Sequence, residues 1–390
     1  GHGPAPWRHR GDRDVTEGER RARVHLSAAL EPGDPLVATA VARLSATDVV
    51  DMLLCGHDRL DPDGRKRRRL QQVDPDHVWS RSLRAGLSFV VPGDQEWPAP
   101  LDVLDGVFRD RRGGLPIGVW VRGRLDVSAL RRSVAVVGSR AATAYGTSVS
   151  TDWSARLAEQ DVLVVSGAAY GIDAAAHRGC LAVGGSTVAV LACGVDEAYP
   201  RGTGALIDRI ADSGAVLSEA APGTTVNRGR FLSRNRLIAA LGEATVVVEA
   251  GVRSGALSTA RWALDLGRPV GAVPGAVTSS LSLGAHQLVR ESDAMLVSRP
   301  EEVLELVGDL SRDAAPLPLA DDSATDTLSG DAAAVHEAFP ARGPVTVAEL
   351  MAATGIGVAP VLRALNELAG EGLVRGEGDV WARRTRATRR

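Results

Sequence analysis

Between residues 133 and 275 the chain alternates short runs of β-branched and small apolar residues with stretches of helical character. The runs are Val134-Ala-Val-Val137, Val162-Leu-Val-Val165, Thr187-Val-Ala-Val-Leu191, Ala215-Val-Leu217, Thr245-Val-Val-Val248 and Pro269-Val-Gly-Ala-Val273. A strand with one wet face would alternate apolar with polar residues. An unbroken apolar run instead has both faces covered, which is the mark of a parallel sheet whose crossovers are helices. The expected fold class is therefore α/β, a doubly wound, extended Rossmann-like parallel sheet. Right-handed crossovers gather the strand-to-helix loops on one edge, and such sheets bind ligands outside the carboxyl ends of their strands. That edge is where function is to be sought.

The rest of the chain divides by pattern. Residues 17–85 carry Leu26, Leu30, Val37, Val41, Leu44, Val49, Val50, Leu53 and Leu54 at helical spacings, which predicts a small helical domain. Short strands are expected at Leu87-Ser-Phe-Val-Val91 and Val119-Trp-Val-Arg-Gly123, flanking the main sheet of a domain over 86–300. Residues 301–330 read as a linker, 1–16 as a disordered start and 383–390 as a basic tail. Between them, 331–382 gives helices over 332–339, 347–353 and 359–369, then a hairpin ending at Trp381, the order of a winged helix. Its third helix exposes Arg363, Asn366 and Glu367, fewer cations than a groove-reading helix presents.

Charge excludes one class of function. A net charge of −3 and a pI near 6.3 are wrong for a protein that coats duplex DNA by bulk charge, so any nucleic-acid site must be local. A basic run at Arg65-Lys-Arg-Arg-Arg69 is one local feature, read as a solvated face. No stretch reaches the roughly 20 apolar residues that span a bilayer. The first 30 residues hold Arg, Asp and Glu where a signal peptide needs an apolar centre. Cys55, Cys180 and Cys193 are scattered, without metal-ligand spacing. The expectation is a cytoplasmic protein with no metal, no cofactor and no membrane partner.

Five loops on the predicted edge share Gly, Ser and Arg chemistry. After the first strand, Gly138-Ser139-Arg140 offers a tight turn, free amides at a helix start and a cation, which suits a phosphate. After the second, Ser166-Gly167 and Tyr170-Gly171 allow close backbone approach, while Asp173 caps the next helix and His177 lies one turn on. An Asp/His catalytic pair is conceivable there, but no nucleophile accompanies it. The richest stretch is Val226-Asn-Arg-Gly-Arg-Phe-Leu-Ser-Arg-Asn-Arg236, with Arg228, Arg230, Arg234 and Arg236 around Phe231 and a helix expected over 234–241. Cations track phosphates and an aromatic ring stacks bases, which is how unpaired nucleic acid is held. The competing reading pairs these arginines with Glu219, Glu243 and Glu249 and buries Phe231. Ser254-Gly255 again place a hydroxyl and amides at a helix start, and Val273-Pro-Gly275 makes a tight turn. Neither a dinucleotide GxGxxG nor a P-loop is present.

Taken together these loops resemble the DNA-processing protein A (DprA/Smf) family. The residues that carry the resemblance are Val136-Val-Gly-Ser-Arg140, Ser166-Gly167, Gly171-Ile-Asp173, Ala176-His177, Tyr199-Pro200, Leu217-Ser-Glu219, Phe231, Arg234-Asn235-Arg236-Leu-Ile-Ala239, Val248-Glu-Ala250, Ser254-Gly255 and Val273-Pro-Gly275. It covers residues 86–298 densely, and the helical front (SAM-like) and winged-helix tail match the family's accessory domains. The resemblance implies a non-enzymatic homodimer that binds incoming single-stranded DNA during natural transformation, shields it and loads the RecA recombinase. It places Arg140, Arg228, Phe231, Ser254 and Gly255 in the strand-binding pocket. Tyr170 departs from the family pattern, standing where an Arg is usual, as do Thr203, His286, Ser292 and Asp293.

Two rivals stay open on sequence. A phosphoribohydrolase of the lysine-decarboxylase-like kind would need a PGGxGTxxE motif, where this chain has Glu249-Ala-Gly-Val-Arg-Ser-Gly-Ala256. A protein-interaction adaptor would act through the winged helix.

Overall fold

The structure, a computed structural model, describes residues 15–308, 328–340 and 343–384. The expected disordered start up to residue 14, most of the expected linker (309–327) and the tail from 385 lie outside the described residues. Contacts divide the chain into two compact units, residues 1–314 and 315–390.

The first unit is built on a nine-stranded sheet. Its strands are β1 (Ser88–Val90), β4 (Val119–Gly123), β5 (Ser133–Val137), β6 (Leu163–Ser166), β7 (Thr187–Val190), β8 (Ala215–Ser218), β9 (Ala244–Val247), β10 (Val270–Ala272) and β11 (Met295–Leu296), in the order β1-β4-β8-β7-β6-β5-β9-β10-β11. A two-residue hairpin, β2 (Phe108–Arg109) with β3 (Arg112–Gly113), stands apart from it. From β8 to β11 all neighbours run parallel. The segments expected to flank the sheet instead join it, because β4 pairs antiparallel with β8 and β1 with β4.

Every residue of β5 is buried, with successive side chains on opposite faces. Ala135 and Val137 pack with Leu237, Ile238 and Leu241 on one face, and Val134 and Val136 with Trp153, Leu157 and Ile172 on the other. The helices that cover the sheet are α6 (Ala144–Glu159), α7 (Ile172–Ala182), α8 (Gly204–Ser213), α9 (Arg228–Leu241), α10 (Gly255–Asp265), α11 (Leu283–Glu291) and α12 (Pro300–Val307). From β5 the chain winds outward through β6, β7 and β8, then returns to place β9 on the other side of β5. The loops after β5 and β9 therefore diverge, and the crevice between them is the switch point at which open α/β sheets bind ligands.

The helical front comprises α1 (Glu17–Ala29), α2 (Pro35–Arg43), α3 (Ala46–Leu54), α4 (Arg65–Gln71) and α5 (Pro75–Arg84). Leu26, Val49, Leu53 and Leu70 form a core of its own, yet Val24 and Trp79 share a second core with Phe89, Trp120 and Ala189 of the sheet. Arg20, fully buried in α1, meets Asp94 at 2.7 Å beyond β1. Packing thus runs straight across the boundary expected near residue 85.

The second unit holds α13 (Gly330–Ala338), α14 (Val347–Thr354) and α15 (Val358–Gly370) with a three-stranded antiparallel sheet of β12 (Val345–Thr346), β14 (Val380–Arg383) and β13 (Val374–Glu377). Val335, Phe339, Leu350 and Leu365 form its core. Among the described residues no single helix is long and apolar enough to cross a membrane.

Candidate nucleic-acid interface

The loop after β5 is shaped by two glycines. A Cβ on Gly138 would run into Ile172, and one on Gly171, whose φ is +76°, would run into the carbonyl oxygen of Ser139. Two loops touch backbone to backbone here, with the Ile172 amide donating to the Ser139 carbonyl at 3.2 Å and the Ser139 amide to Glu249 at 2.7 Å. The buried Ser139 hydroxyl accepts from the Ala141 amide. Arg140 is the side chain this frame projects outward, and its guanidinium lies 4.6 Å from the centre of the Phe231 ring.

Phe231 belongs to α9, which begins six residues earlier than its expected start at 234. Asn227 caps it, accepting from the Arg230 amide at 2.9 Å, so Arg228 to Phe231 form its first turn. The four arginines then meet four different fates, because successive helical positions face different surroundings. Arg228 is exposed. Arg230 pairs with Glu31, in the turn between α1 and α2, at 2.9 Å, and that carboxylate also takes Arg69 of α4 at 3.3 Å. Burial works to raise the Glu31 carboxyl, but the Arg230 bonds and charge outweigh it and hold it below its ordinary value. Arg234 is buried beneath the rim, donating to the carbonyls of Gly167 at 2.8 Å and Val190 at 2.5 Å. Arg236 is withdrawn from the edge altogether, with a bidentate grip on Glu219. Of the expected partners Glu219, Glu243 and Glu249, only Glu219 takes one of these arginines, while Arg230 is paired with Glu31 instead. Glu243 takes Arg268 at 3.7 Å, and Glu249 accepts from the amide and hydroxyl of Thr143 at the start of α6.

Two pockets open side by side on this edge. The larger, of about 500 Å³, fills the crevice between Gly138-Ser139-Arg140 and Arg253-Ser254-Gly255. Ser254 caps α10, and Asn235 donates to the Gly255 carbonyl at 3.3 Å, tying α9 to that loop. The smaller, of about 60 Å³, is lined by Tyr170, Tyr199, Pro200 and Val226. Arg140, Ala169, Phe231 and Arg234 line both and form the wall between them. Helix starts of α9 and α10 and the cations Arg140, Arg228 and Arg253 make the rim favourable to anions.

Asp173 and His177 do not form a pair. Asp173 leaves the helix start uncapped, its carboxylate accepting from the Ala169 amide at 3.4 Å at the edge of the larger pocket. Burial raises its pKa, against the pull of Arg234 and Arg140. His177 is fully buried against Thr187, 2.8 Å from Nδ1, and burial and Arg234 push it down to about 3. It stays neutral, a core histidine. Ser166 is also buried, its hydroxyl donating to the Val136 carbonyl at 2.6 Å.

A family model described as DNA recombination-mediator protein A matches residues 88–308. The chain belongs to the DNA recombination-mediator protein A family. It is 43% identical to a DNA processing protein of the DprA type from Mycobacterium tuberculosis over 368 residues, 93% of each chain. It is 41% identical to the DNA processing protein DprA of Streptococcus pneumoniae over 189 residues, 48% of this chain and 66% of that one. The X-ray structure of the Streptococcus pneumoniae protein superposes with a TM-score of 0.61 at 31% identity, covering 75% of this chain and 98% of that chain.

The match to the DNA recombination-mediator protein A family takes in all nine strands of the sheet and the loops at their carboxyl edge. Sequence reasoning brought Gly138, Ser139, Arg140, Gly171, Phe231, Arg234, Asn235, Ser254 and Gly255 to one crevice, and the structure places them there or on its frame. It missed Arg253, Asp173 as pocket lining and Tyr199 as the neighbour of Phe231, 5.7 Å between ring centres. The available signal for Tyr199 was a bulky aromatic just beyond a strand's carboxyl end, followed by Pro200.

Proposed function

We propose that this DNA-processing protein of the DprA type binds single-stranded DNA along the carboxyl edge of its sheet, without catalysis. The observation that carries the reading is the Arg140 guanidinium resting on the Phe231 ring, in the wall between two pockets. A cation and an aromatic face in contact at a rim of helix starts suit a chain of phosphates and flat bases. A base that takes the ring displaces Arg140, which is then free to meet the neighbouring phosphate. Gly138, Ser139, Ser254 and Gly255 offer backbone and hydroxyl contacts in the same pocket, with Gly167 making room behind it for Arg234 and Gly171 for the Ser139 loop. Arg228 and Arg230 extend the cationic path along α9, and Tyr170 adds an exposed ring.

The non-catalytic part of the reading draws on His177, which burial keeps neutral and which faces Thr187 instead of pairing with Asp173. In this reading the protein works as a homodimer that protects incoming strands in natural transformation and passes them to the RecA recombinase. Fluorescence anisotropy with labelled oligonucleotides tests the first step. Wild type is expected to prefer single strands over duplex, with affinity lost in Phe231→Ala and Arg140→Ala. Equal binding by wild type and both variants sinks the reading.

A further inference from the structure

The chain contains three tyrosines, and all three stand at the carboxyl edge of the parallel strands. Tyr145 lies in the first turn of α6, Tyr170 in the loop after β6 and Tyr199 in the loop after β7. They are 49%, 48% and 40% exposed. A single exposed aromatic needs no explanation, but three on one rim form a set. Tyr145 is tied down through its hydroxyl, which donates to the Pro274 carbonyl at 2.7 Å. Tyr170 and Tyr199 line the smaller pocket together with Val226 and Phe231.

We propose that Tyr170 and Tyr199 form a second base-stacking subsite, which takes the nucleotide adjacent to the one at Phe231 on the same unpaired strand. The proposal rests on the reading of this edge as a single-strand site and adds to it where the next base goes. Continuity argues for the occupant: Arg140, Ala169, Phe231 and Arg234 face both pockets, so a ligand in the larger reaches the smaller without leaving the protein. The smaller pocket, about 60 Å³, is too narrow for a free nucleotide and takes the edge of a ring whose face lies on an aromatic. The spacing also fits. Tyr199 and Phe231 pack against each other, ring centres 5.7 Å apart with their planes tilted by 55°, so bases lying on the two rings are neighbours but not parallel. A strand spanning both is unstacked there, and each base takes a protein ring in exchange.

Charge agrees with an anionic ligand. Arg140 stands between the two subsites, and Arg201 is exposed on the turn after Pro200. Two acids share that loop, Asp196 and Glu197. The Asp196 carboxylate accepts from the Gly223 amide at 2.8 Å, which spends part of its charge on the backbone.

The test is anisotropy of the full chain with labelled oligo-dT, together with quenching of a single 2-aminopurine placed at successive positions. Tyr170→Leu and Tyr199→Leu are each expected to weaken binding about tenfold and to abolish quenching at one position, as loss of one stacked base would. Tyr170→Phe, which keeps the ring, is expected to restore the quenching at the position where Tyr170→Leu loses it. If the double leucine variant binds like wild type while Phe231→Ala is weakened, the second subsite is overturned and the single-strand reading stands. If wild type itself fails to bind single strands, both fall.

Discussion

Arg236 and Glu219 form a two-pronged ion pair, Nη1 to Oε2 at 2.7 Å and Nη2 to Oε1 at 2.8 Å, with the arginine wholly out of solvent. Each charge is tolerated only because the other is there, so removing one leaves a bare charge inside. Arg236→Met is expected to cost about 3–5 kcal/mol, read as a lower urea midpoint at unchanged slope. Adding Glu219→Leu should recover part of that loss. A fall in strand affinity with stability intact would mean instead that Arg236 reaches the ligand.

His177 makes stability depend on pH. Its folded value of about 3 lies below the ordinary 6.5, so between those values the unfolded chain accepts a proton that the folded one refuses. Stability is fully present above 6.5 and falls as pH drops, by up to about 1.4 kcal/mol per pH unit. His177→Asn retains a donor for Thr187 and removes the titration. Urea midpoints measured from pH 7 to pH 4 should fall less steeply in the variant, and parallel curves would rule this out.

The parallel strands were legible because an unbroken apolar run is a local signal with one physical meaning, burial on both faces. The loops were legible for the same reason, since Gly138, Gly171 and Ser254 state their backbone and capping needs in a few residues. What escaped reading is decided by residues far away in the chain. Arg234 and Arg236 look alike in sequence, but one finds the Gly167 carbonyl 67 residues off and the other Glu219. Arg230 turns to Glu31, 199 residues distant. The first turn of α9 has no apolar period in Arg-Gly-Arg-Phe, and its one local signal is the Asn227 cap. The packing of the helical front on the sheet is hidden for the same reason, since nothing local announces that Trp79 meets Phe89 and Trp120.

Gly171 holds the Arg140 loop in shape, so its replacement should damage fold and site together. At φ +76° and ψ −125° a side chain is strained, and the Cβ meets the Ser139 carbonyl besides. Gly171→Ala is expected to cost at least about 1–3 kcal/mol. The folded fraction should also bind labelled single strands more weakly, because Arg140 must shift. Gly184→Ala is the control, since its φ is +75° but a Cβ there would meet nothing. Equal strand affinity in the two variants would sever the link between Gly171 and the site.

Arg228 and Arg230 are two residues apart in the first turn of α9, yet only Arg230 is held by a carboxylate. Each cation that newly neutralises a phosphate of a single strand contributes about 0.7 to the slope of log affinity against log salt. Arg228→Ala should therefore lower that slope by about 0.7. Arg230→Ala should lower it less, because Glu31 already balances the charge. Glu31→Gln releases both Arg230 and Arg69 and should raise slope and affinity together. Because Arg230 keeps the Glu31 carboxyl below its ordinary value, moving from pH 8 to pH 6 will not mimic the variant. Salt titrations of the three proteins with one labelled oligonucleotide decide the matter, and a Glu31→Gln slope equal to wild type would show that Arg230 lies off the strand's path.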